Sequence, residues 1–336
     1  MCKANAWDGQ KVDVSVVVLT YNEEIHIRRC VENVKAWTQD VFVVDSFSSD
    51  RTVVIASELG AKIFRNAWEG LYSRQFNWAL DHLPIQTTWV LRLDADEYLC
   101  PELLEEIKVK LERLPEEVTG VAFYLQRVFM GRVIRHGMPR IKMIRLFRYG
   151  KARCEQRLMD EHIELLEGRA VEFEGEFADH NLNDIGWWTA KHNGYALREA
   201  VDLLDLECNF FGEKTGKCQN ALMPECLDGE DTDAANIAGL RGQTRGALEG
   251  QAAEKRAKKM RYARMPLFWR AFAYFCYRYV VRGGFWDGKE GFLWHFLQGW
   301  WYRTLVDAKI FEIKRESGGD REKMLAVLRG KYGMKI

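Results

Sequence analysis

The 336-residue chain has no uncharged apolar run of about 18 residues, the length a bilayer-crossing helix needs, so no transmembrane helix is expected. Met1 to Gln10 hold no apolar run, which excludes a secretory leader as the reading of that stretch. Eight cysteines include no Cys-x-x-Cys, and Cys208, Cys218 and Cys226 lack zinc-ribbon spacing. Reduced thiols in a cytoplasmic protein are the expectation, with Cys100 and Cys154 as inert buried thiols. Net charge is also missing, with 49 basic and 49 acidic residues, so no global pull toward nucleic acid arises. No Gly-x-Gly-x-x-Gly follows the first strand-like run, which argues against a dinucleotide dehydrogenase.

What is present supports a large core, since 47% of residues are hydrophobic and 12% aromatic. The zero net charge hides an asymmetry. Lys255 to Arg315 hold 14 Lys or Arg against 4 Asp or Glu, and five of the 12 Trp lie between Trp269 and Trp301.

The first hundred residues alternate strand and helix. Val12 to Thr20 reads as a buried strand, followed by a helix opening at Tyr21-Asn22-Glu23-Glu24, with Asn22 as its cap. Val41 to Asp45, Ala61 to Arg65 and Trp89 to Leu93 are the next strands, separated by helices over 51–59 and 71–82. Crossovers of that length imply a parallel, doubly wound α/β sheet. Ligands in such sheets bind beyond the C-terminal strand ends. Thr20, Asn22, Glu23, Asp45, Asp50, Asp94 and Asp96 are therefore expected along one crevice. Asp-x-Asp alone is a weak signal, but carboxylates at a strand end are able to hold a hard divalent cation. Pro101 to Leu114 reads as a helix. Val118–Met130, Arg132–His136 and Ile141–Tyr149 read as antiparallel strands, and Ala170–Phe173 as another. Ile185 to Leu206 reads as a helix with Trp188, His192, Tyr195 and Glu199 in one stripe, and Trp187 and Trp188 in the core.

These motifs occur in a telling order: Tyr21-Asn22-Glu23-Glu24, Val44-Asp45-Ser46-Phe47-Ser48-Ser49-Asp50, Arg74-Gln75-x-Asn77-Trp78-Ala79-Leu80 and Leu93-Asp94-Ala95-Asp96-Glu97. In that order the chain resembles the family 2 glycosyltransferases, inverting enzymes of the GT-A fold. It is similar in particular to bacterial glucosyltransferases of lipopolysaccharide-core and exopolysaccharide assembly. Gly284-Phe285-x-Asp287-Gly288-x-x-Gly291-Phe292 also resembles a C-terminal element of that subgroup. The resemblance implies a GT-A, Rossmann-like, mostly parallel sheet with flanking helices and a C-terminal aromatic helical appendage. The nucleotide-sugar half would be 12–97 and the acceptor half 98–210 of a domain at 1–210. A flexible polar insert would follow at 211–258, then a helical membrane-association region at 259–315 and a basic tail at 316–336.

By the same resemblance, Thr20, Asn22 and Glu23 line a nucleotide-sugar pocket. Asp45 accepts from the base, Asp50 supports that loop, Arg74 lies near the ribose or diphosphate, Asp94 faces the ribose and Asp96 binds Mg²⁺ or Mn²⁺. Glu161 is the expected general base, with the adjacent Asp160 as its rival. The implied reaction moves a hexose from a nucleoside-diphosphate sugar to a hydroxyl of a lipid-linked glycan. A sugar-phosphate nucleotidyltransferase, or an inactive membrane-peripheral scaffold of the same fold, are the alternatives. The nucleotidyltransferase reading is opposed by an acidic, glycine-free loop at Thr20–Glu24.

The C-terminal region leaves three readings open. Arg270, Arg278 and Arg282 fall on one helix face, and Phe268, Phe272, Phe275 and Tyr279 cover much of the rest. A hairpin packed on the catalytic domain is one reading and nucleic-acid binding another. The preferred one is an interfacial helix pair on the inner face of the cytoplasmic membrane, the basic excess facing anionic lipid.

Overall fold

The computed structural model describes residues 11–155, 162–208, 210, 262 and 265–334. Asp160, Glu161 and the stretch 211–258 lie outside the described residues. The expected nucleotide half is present. Strands β1 (Val12–Thr20), β2 (Thr38–Asp45), β3 (Lys62–Arg65) and β4 (Trp89–Asp94) pair in the order β3-β2-β1-β4, all parallel. Helices α1 (Ile27–Val34), α2 (Thr52–Glu58) and α3 (Tyr72–His82) cross between them. The valines of β1 explain its central place. Val14, Val16 and Val18 face α1 and α2 in one core cluster, whereas Val17 faces α3 with Phe76 and Leu80 in another.

The sheet continues on the β4 side with β5 (Glu97–Leu99), β6 (Val118–Phe129), β7 (Arg132–Val133), β8 (Ile141–Arg148) and β11 (Arg169–Asp179). The order there is β4-β8-β6-β11-β5, with β7 on β6. β8 is antiparallel to both β4 and β6, so β6 and β11 run in the direction of β4. The C-terminal ends of β1, β2, β4, β6 and β11 therefore share one edge. β9 (Ala152–Cys154) and β10 (Ile163–Leu165) form a separate hairpin-like pair, and α4 (Pro101–Lys110) covers β11.

Two expectations are corrected in this region. The first helix begins at Ile27 rather than at Tyr21, and its N-cap is His26. Asn22 does not cap it, because Asn22 adopts a left-handed φ of 56° and bonds the neighbouring loop. β11 is also far longer than Ala170–Phe173. Its alternation of Val171, Phe173 and Phe177, which pack in one core cluster, with Glu172, Glu174 and Glu176 keeps one face in the core and leaves the other largely polar.

The C-terminal half is helical. α5 (Ile185–Cys208) packs on α8 (Tyr302–Ser317) and α9 (Arg321–Gly330) through Ala196, Ala200, Leu204, Val306, Ile310 and Leu328. The basic tail thus includes a helix whose apolar side completes that cluster. α6 (Trp269–Cys276) continues as a wide π turn over Tyr277–Val281, and α7 (Gly288–Trp294) as another over His295–Trp301. Trp188 stacks on His192 with ring centroids 3.5 Å apart and packs with Phe129, Trp294 and Trp301. Trp187, expected in the core, is exposed and carries Lys191 over its ring.

The arginine stripe is not a surface feature. Arg270 is 1% exposed and Arg278 3%, whereas Arg282 alone of the three is on the outside. Arg270 Nε and Nη2 donate to Asp307 Oδ1 at 2.8 and 2.5 Å. Arg303, buried too, lies over the Tyr274 ring at 3.9 Å. A partner 37 residues away on another helix turned a predicted lipid-facing charge into a core ion pair. Apolar side chains are outside instead: Trp269 is 72% exposed, Val281 72% and Trp286 68%. No helix among the described residues is long and apolar enough to cross a membrane.

Burial pushes His192 down to about 4, and burial together with Arg278 pushes His295 down to about 3, from an ordinary 6.5. Both are neutral in the folded protein near neutrality, while the unfolded chain protonates below about 6.5. The unfolded state binds more protons in that window. The stability contribution is therefore full above 6.5 and is lost as pH falls toward 4 and 3. Thermal unfolding at pH 7 and pH 5 should show a smaller pH-dependent drop in Tm for His192→Gln than for the unchanged chain. Equal drops would exclude this residue as a source of the acid sensitivity.

Candidate active site

β1 and β2 end side by side, with Thr20 in register with Asp45. The loops that leave them are tied together. Thr20 Oγ1 donates to Asp45 Oδ1 at 3.1 Å, and Ser48 donates to Asp45 through its backbone N–H at 2.9 Å and its hydroxyl at 2.5 Å. The Ser48 hydroxyl accepts from the Asn22 N–H at 2.8 Å, and Asn22 Oδ1 accepts from the Ser49 N–H at 2.8 Å. Asp50 Oδ2 accepts from the Glu24 N–H at 3.1 Å, and its Oδ1 accepts from the N–H and hydroxyl of Thr52. Burial opposes ionisation of Asp50, but these hydrogen bonds outweigh it and hold the carboxyl below the usual range. Asp45 itself is fully buried, and three donors of its own chain occupy it. A carboxylate offers about four lone-pair positions, so about one remains.

The end of β4 carries a second cluster. Leu19 is in register with Asp94, which places that acid one strand from the Thr20–Asp45 pair. The Tyr72 hydroxyl donates to Asp94 Oδ1. Arg145, from the middle of β8, reaches Glu97 Oε1 at 2.5 Å and Asp94 Oδ2 at 3.7 Å. Glu97 Oε2 accepts from the Asp94 N–H at 2.8 Å, closing the turn. Arg92 Nε donates to the Tyr72 hydroxyl at 3.2 Å, and its guanidinium lies over the Tyr72 ring. Two guanidiniums thus face two acidic side chains, of which Glu97 is buried and Asp94 is partly open to solvent. Burial raises the Asp94 carboxyl, but Arg145, Arg92 and the Tyr72 hydrogen bond outweigh it and hold it low. Burial instead pushes Glu97 well above the carboxylate range, against Arg145 and with the nearby Asp94 charge adding to the rise.

Asp96 is held mainly through its backbone. Its carbonyl accepts from Arg29 Nη2 at 2.9 Å and from the His180 N–H at 3.1 Å. Its carboxylate Oδ2 accepts from Asn181 Nδ2 at 3.0 Å. Arg29 Nη2 also donates to the His180 carbonyl at 2.5 Å, so α1 clamps the segment after β11 onto the β4 turn. The Leu182 N–H donates to His26 Nε2 at 2.8 Å, which leaves the proton on Nδ1. That nitrogen donates to Glu23 Oε2 at 2.6 Å. Magnesium and manganese prefer oxygen ligands, and magnesium is commonly held by one or two carboxylates plus substrate phosphates and water. Asp96 and the one-third exposed Asp94 fit that donor set. No group of three or more His, Cys, Asp or Glu is gathered for a metal among the described residues.

The structure brings the loops that carry Thr20, Asn22, Glu23, Asp45 and Asp50 beside the β4 end that carries Asp94 and Asp96. Glu23 turns its carboxylate toward His26, and Asp45 is engaged by its own loop. Arg74 is exposed and meets Glu69 at 3.7 Å. Asp160 and Glu161 fall outside the described residues. Tyr72, Arg92, Arg145, Arg29, His180 and Asn181 join the site without a sequence motif that assigns them to it. Arg145 sits in an Arg-rich strand, which was the available signal, but nothing in the pattern names its partners.

A family model described as Glycosyl transferase family 2 matches residues 15–162. An uncharacterized glycosyltransferase of Rickettsia typhi is 30% identical over 208 residues, covering 61% of this chain and 67% of that protein. One from Rickettsia bellii is 41% identical over 95 residues, 28% of this chain. That match spans 31% of the R. bellii relative's length. The lipopolysaccharide core biosynthesis glycosyltransferase LpsC of Rhizobium meliloti is 26% identical over 151 residues, covering 43% of this chain and 54% of LpsC.

Proposed function

The chain belongs to the family 2 glycosyltransferases, and from that premise we propose that it moves a hexose from a nucleoside-diphosphate sugar to a hydroxyl of a lipid-linked glycan in cell-surface polysaccharide assembly. The observation that carries this reading is the placement of the Thr20–Asp45 pair one strand away from Asp94 and Asp96, on the same sheet edge. The nucleoside occupies the Thr20–Asp50 side, and Asp94 faces the ribose. Asp96 would hold a divalent cation, which when bound would supply charge neutralisation to the leaving diphosphate. Arg145 and Tyr72 hold Asp94 ionised and aimed. Glu161 takes the proton from the attacking acceptor hydroxyl, with Asp160 as the rival. The likeness to LpsC supports a lipopolysaccharide-type acceptor.

The acceptor's lipid anchor calls for a membrane surface, and the exposed apolar cluster of Val280, Val281, Phe285 and Trp286 is the surface offered for it. Exposed Arg282 and Lys289 flank that tip. Aromatic rings bordered by cations suit the headgroup boundary of the cytoplasmic leaflet. The reading is tested by thermal shift with UDP-, GDP- and dTDP-glucose, with and without Mn²⁺, and by sedimentation with anionic phosphatidylglycerol vesicles. A metal-dependent rise in Tm with one donor is expected, as is loss of vesicle binding in Phe285→Ser/Trp286→Ser. No shift with any of these donors would count against the donor assignment. Undiminished sedimentation of the double variant would remove the membrane role from this tip.

A further inference from the structure

The Gly-Phe-x-Asp-Gly-x-x-Gly element at Gly284–Gly291 has no part in the donor site, yet its aspartate is buried and fully engaged. Asp287 Oδ2 accepts from the backbone N–H groups of Arg135 and His136 at 2.9 and 2.8 Å. Its Oδ1 accepts from His136 Nδ1 at 2.8 Å. A carboxylate on the C-terminal helices thus holds the backbone of the loop between β7 and β8. The glycines around it are a condition of that contact. A Cβ on Gly291 would lie 2.5 Å from the Asp287 Cβ, and one on Gly137 would lie 2.4 Å from the His295 ring and 2.8 Å from the Arg278 carbonyl. A Cβ on Gly284 would also strike His295, at 2.5 Å. Gly137 is further fixed by its N–H, which donates to the Arg282 carbonyl at 3.1 Å.

The held loop stands at the reacting edge of the sheet. It follows β7, which pairs with the C-terminal end of β6, and that end shares the edge of Asp94. Arg127, near that end, is in register with Asp179, and Asp179 with Glu97. The next residues, His180 and Asn181, are those bonded to Asp96. The loop returns onto the same strand where the Ile134 N–H donates to the Arg127 carbonyl at 2.9 Å. Met138 closes the gap to the helices, its sulfur meeting Trp294 Nε1 at 3.4 Å.

We propose that Asp287 is a positioning residue: by clamping Arg135 and His136 it sets the 134–138 loop as the acceptor-side wall of the cleft, so that the C-terminal helices fix acceptor binding. The proposal rests on the transferase reading for its kinetic consequence, but not for its structural one. The test compares Asp287→Asn and Asp287→Ala with the unchanged full-length chain. Hydrogen exchange of segment 134–137 is measured alongside transfer from UDP-glucose with Mn²⁺ to core oligosaccharide prepared from lipopolysaccharide. Asn keeps one acceptor oxygen and Ala none, so exchange should accelerate in the order Ala, Asn, unchanged, by at least about tenfold for Ala. The acceptor KM should rise in the same order, by about tenfold for Ala, with UDP-glucose affinity within about twofold. Unaltered exchange at 134–137 overturns the clamp. A lower kcat at unchanged acceptor KM, or an equal loss of UDP-glucose affinity, overturns the acceptor role. If the unchanged chain transfers no glucose to this acceptor, the transferase reading is what has failed there, and the exchange result still decides the clamp.

Discussion

Asp96→Ala should abolish sugar transfer, by at least about a thousandfold, and leave the fold in place. The size follows from the chemistry assigned to the residue. Charge stabilisation of a leaving diphosphate is worth several kcal/mol, and each 1.36 kcal/mol is a factor of about ten in rate. The intact fold follows from how the segment is anchored. Arg29 and the His180 N–H both bond the Asp96 carbonyl, which alanine retains, and the side chain gives up only the Asn181 contact. Tm should therefore change by only a few degrees. Calorimetry should show that Mn²⁺ no longer strengthens donor binding. Undiminished turnover in this variant would refute the metal role of Asp96.

Arg145→Met should have the largest effect on stability. Arg145 is buried between Glu97 and Asp94, so its loss leaves two carboxyl groups close together without their shared cation. Removing one partner of a buried ion pair costs about 3–5 kcal/mol. For a chain of this size that corresponds to a fall in Tm of roughly 10 °C. Donor binding should weaken as well, because Asp94 loses a group that holds it ionised. Adding Glu97→Gln should recover part of the lost stability, since the two residues are in contact and their effects are coupled. Denaturant unfolding of the two single variants and the double variant measures this. A single-variant loss under about 1 kcal/mol, or strictly additive effects, would remove the cluster from the account of stability.

The two halves of the chain differed in how much their residues disclosed. β1, β2 and β4 are valine- or leucine-rich runs ending at a polar residue, and Gly60 and Pro84 punctuate the helices between them, so the strands, their parallel direction and the loop edge are readable, whereas their order is not. The crevice followed from direction alone. Glu172, Glu174 and Glu176 broke up the apolar signal of β11 because they line its polar face. Asn22 looked like a cap because a cap and a left-handed turn favour the same residue type. Which of the two forms depends on Ser48 and Ser49, in a loop about 26 residues later. The buried arginines failed for the same reason. Periodicity placed Arg270 and Arg278 on one face correctly, but nothing local announces that Asp307 waits there. Contacts between distant segments carry most of the site's electrostatics, and a single sequence contains no pairing information for them.

The antiparallel seam between β4 and β8 bears on how the chain is made. During synthesis the parallel half through β4 emerges first, and the edge at Trp89, Val90 and Leu91 stays open until Leu146, Phe147 and Arg148 arrive more than fifty residues later. An open, apolar strand edge is a template for pairing with another chain. A gene truncated near residue 115 would release a species prone to self-association, because the strand that covers this edge lies beyond the truncation.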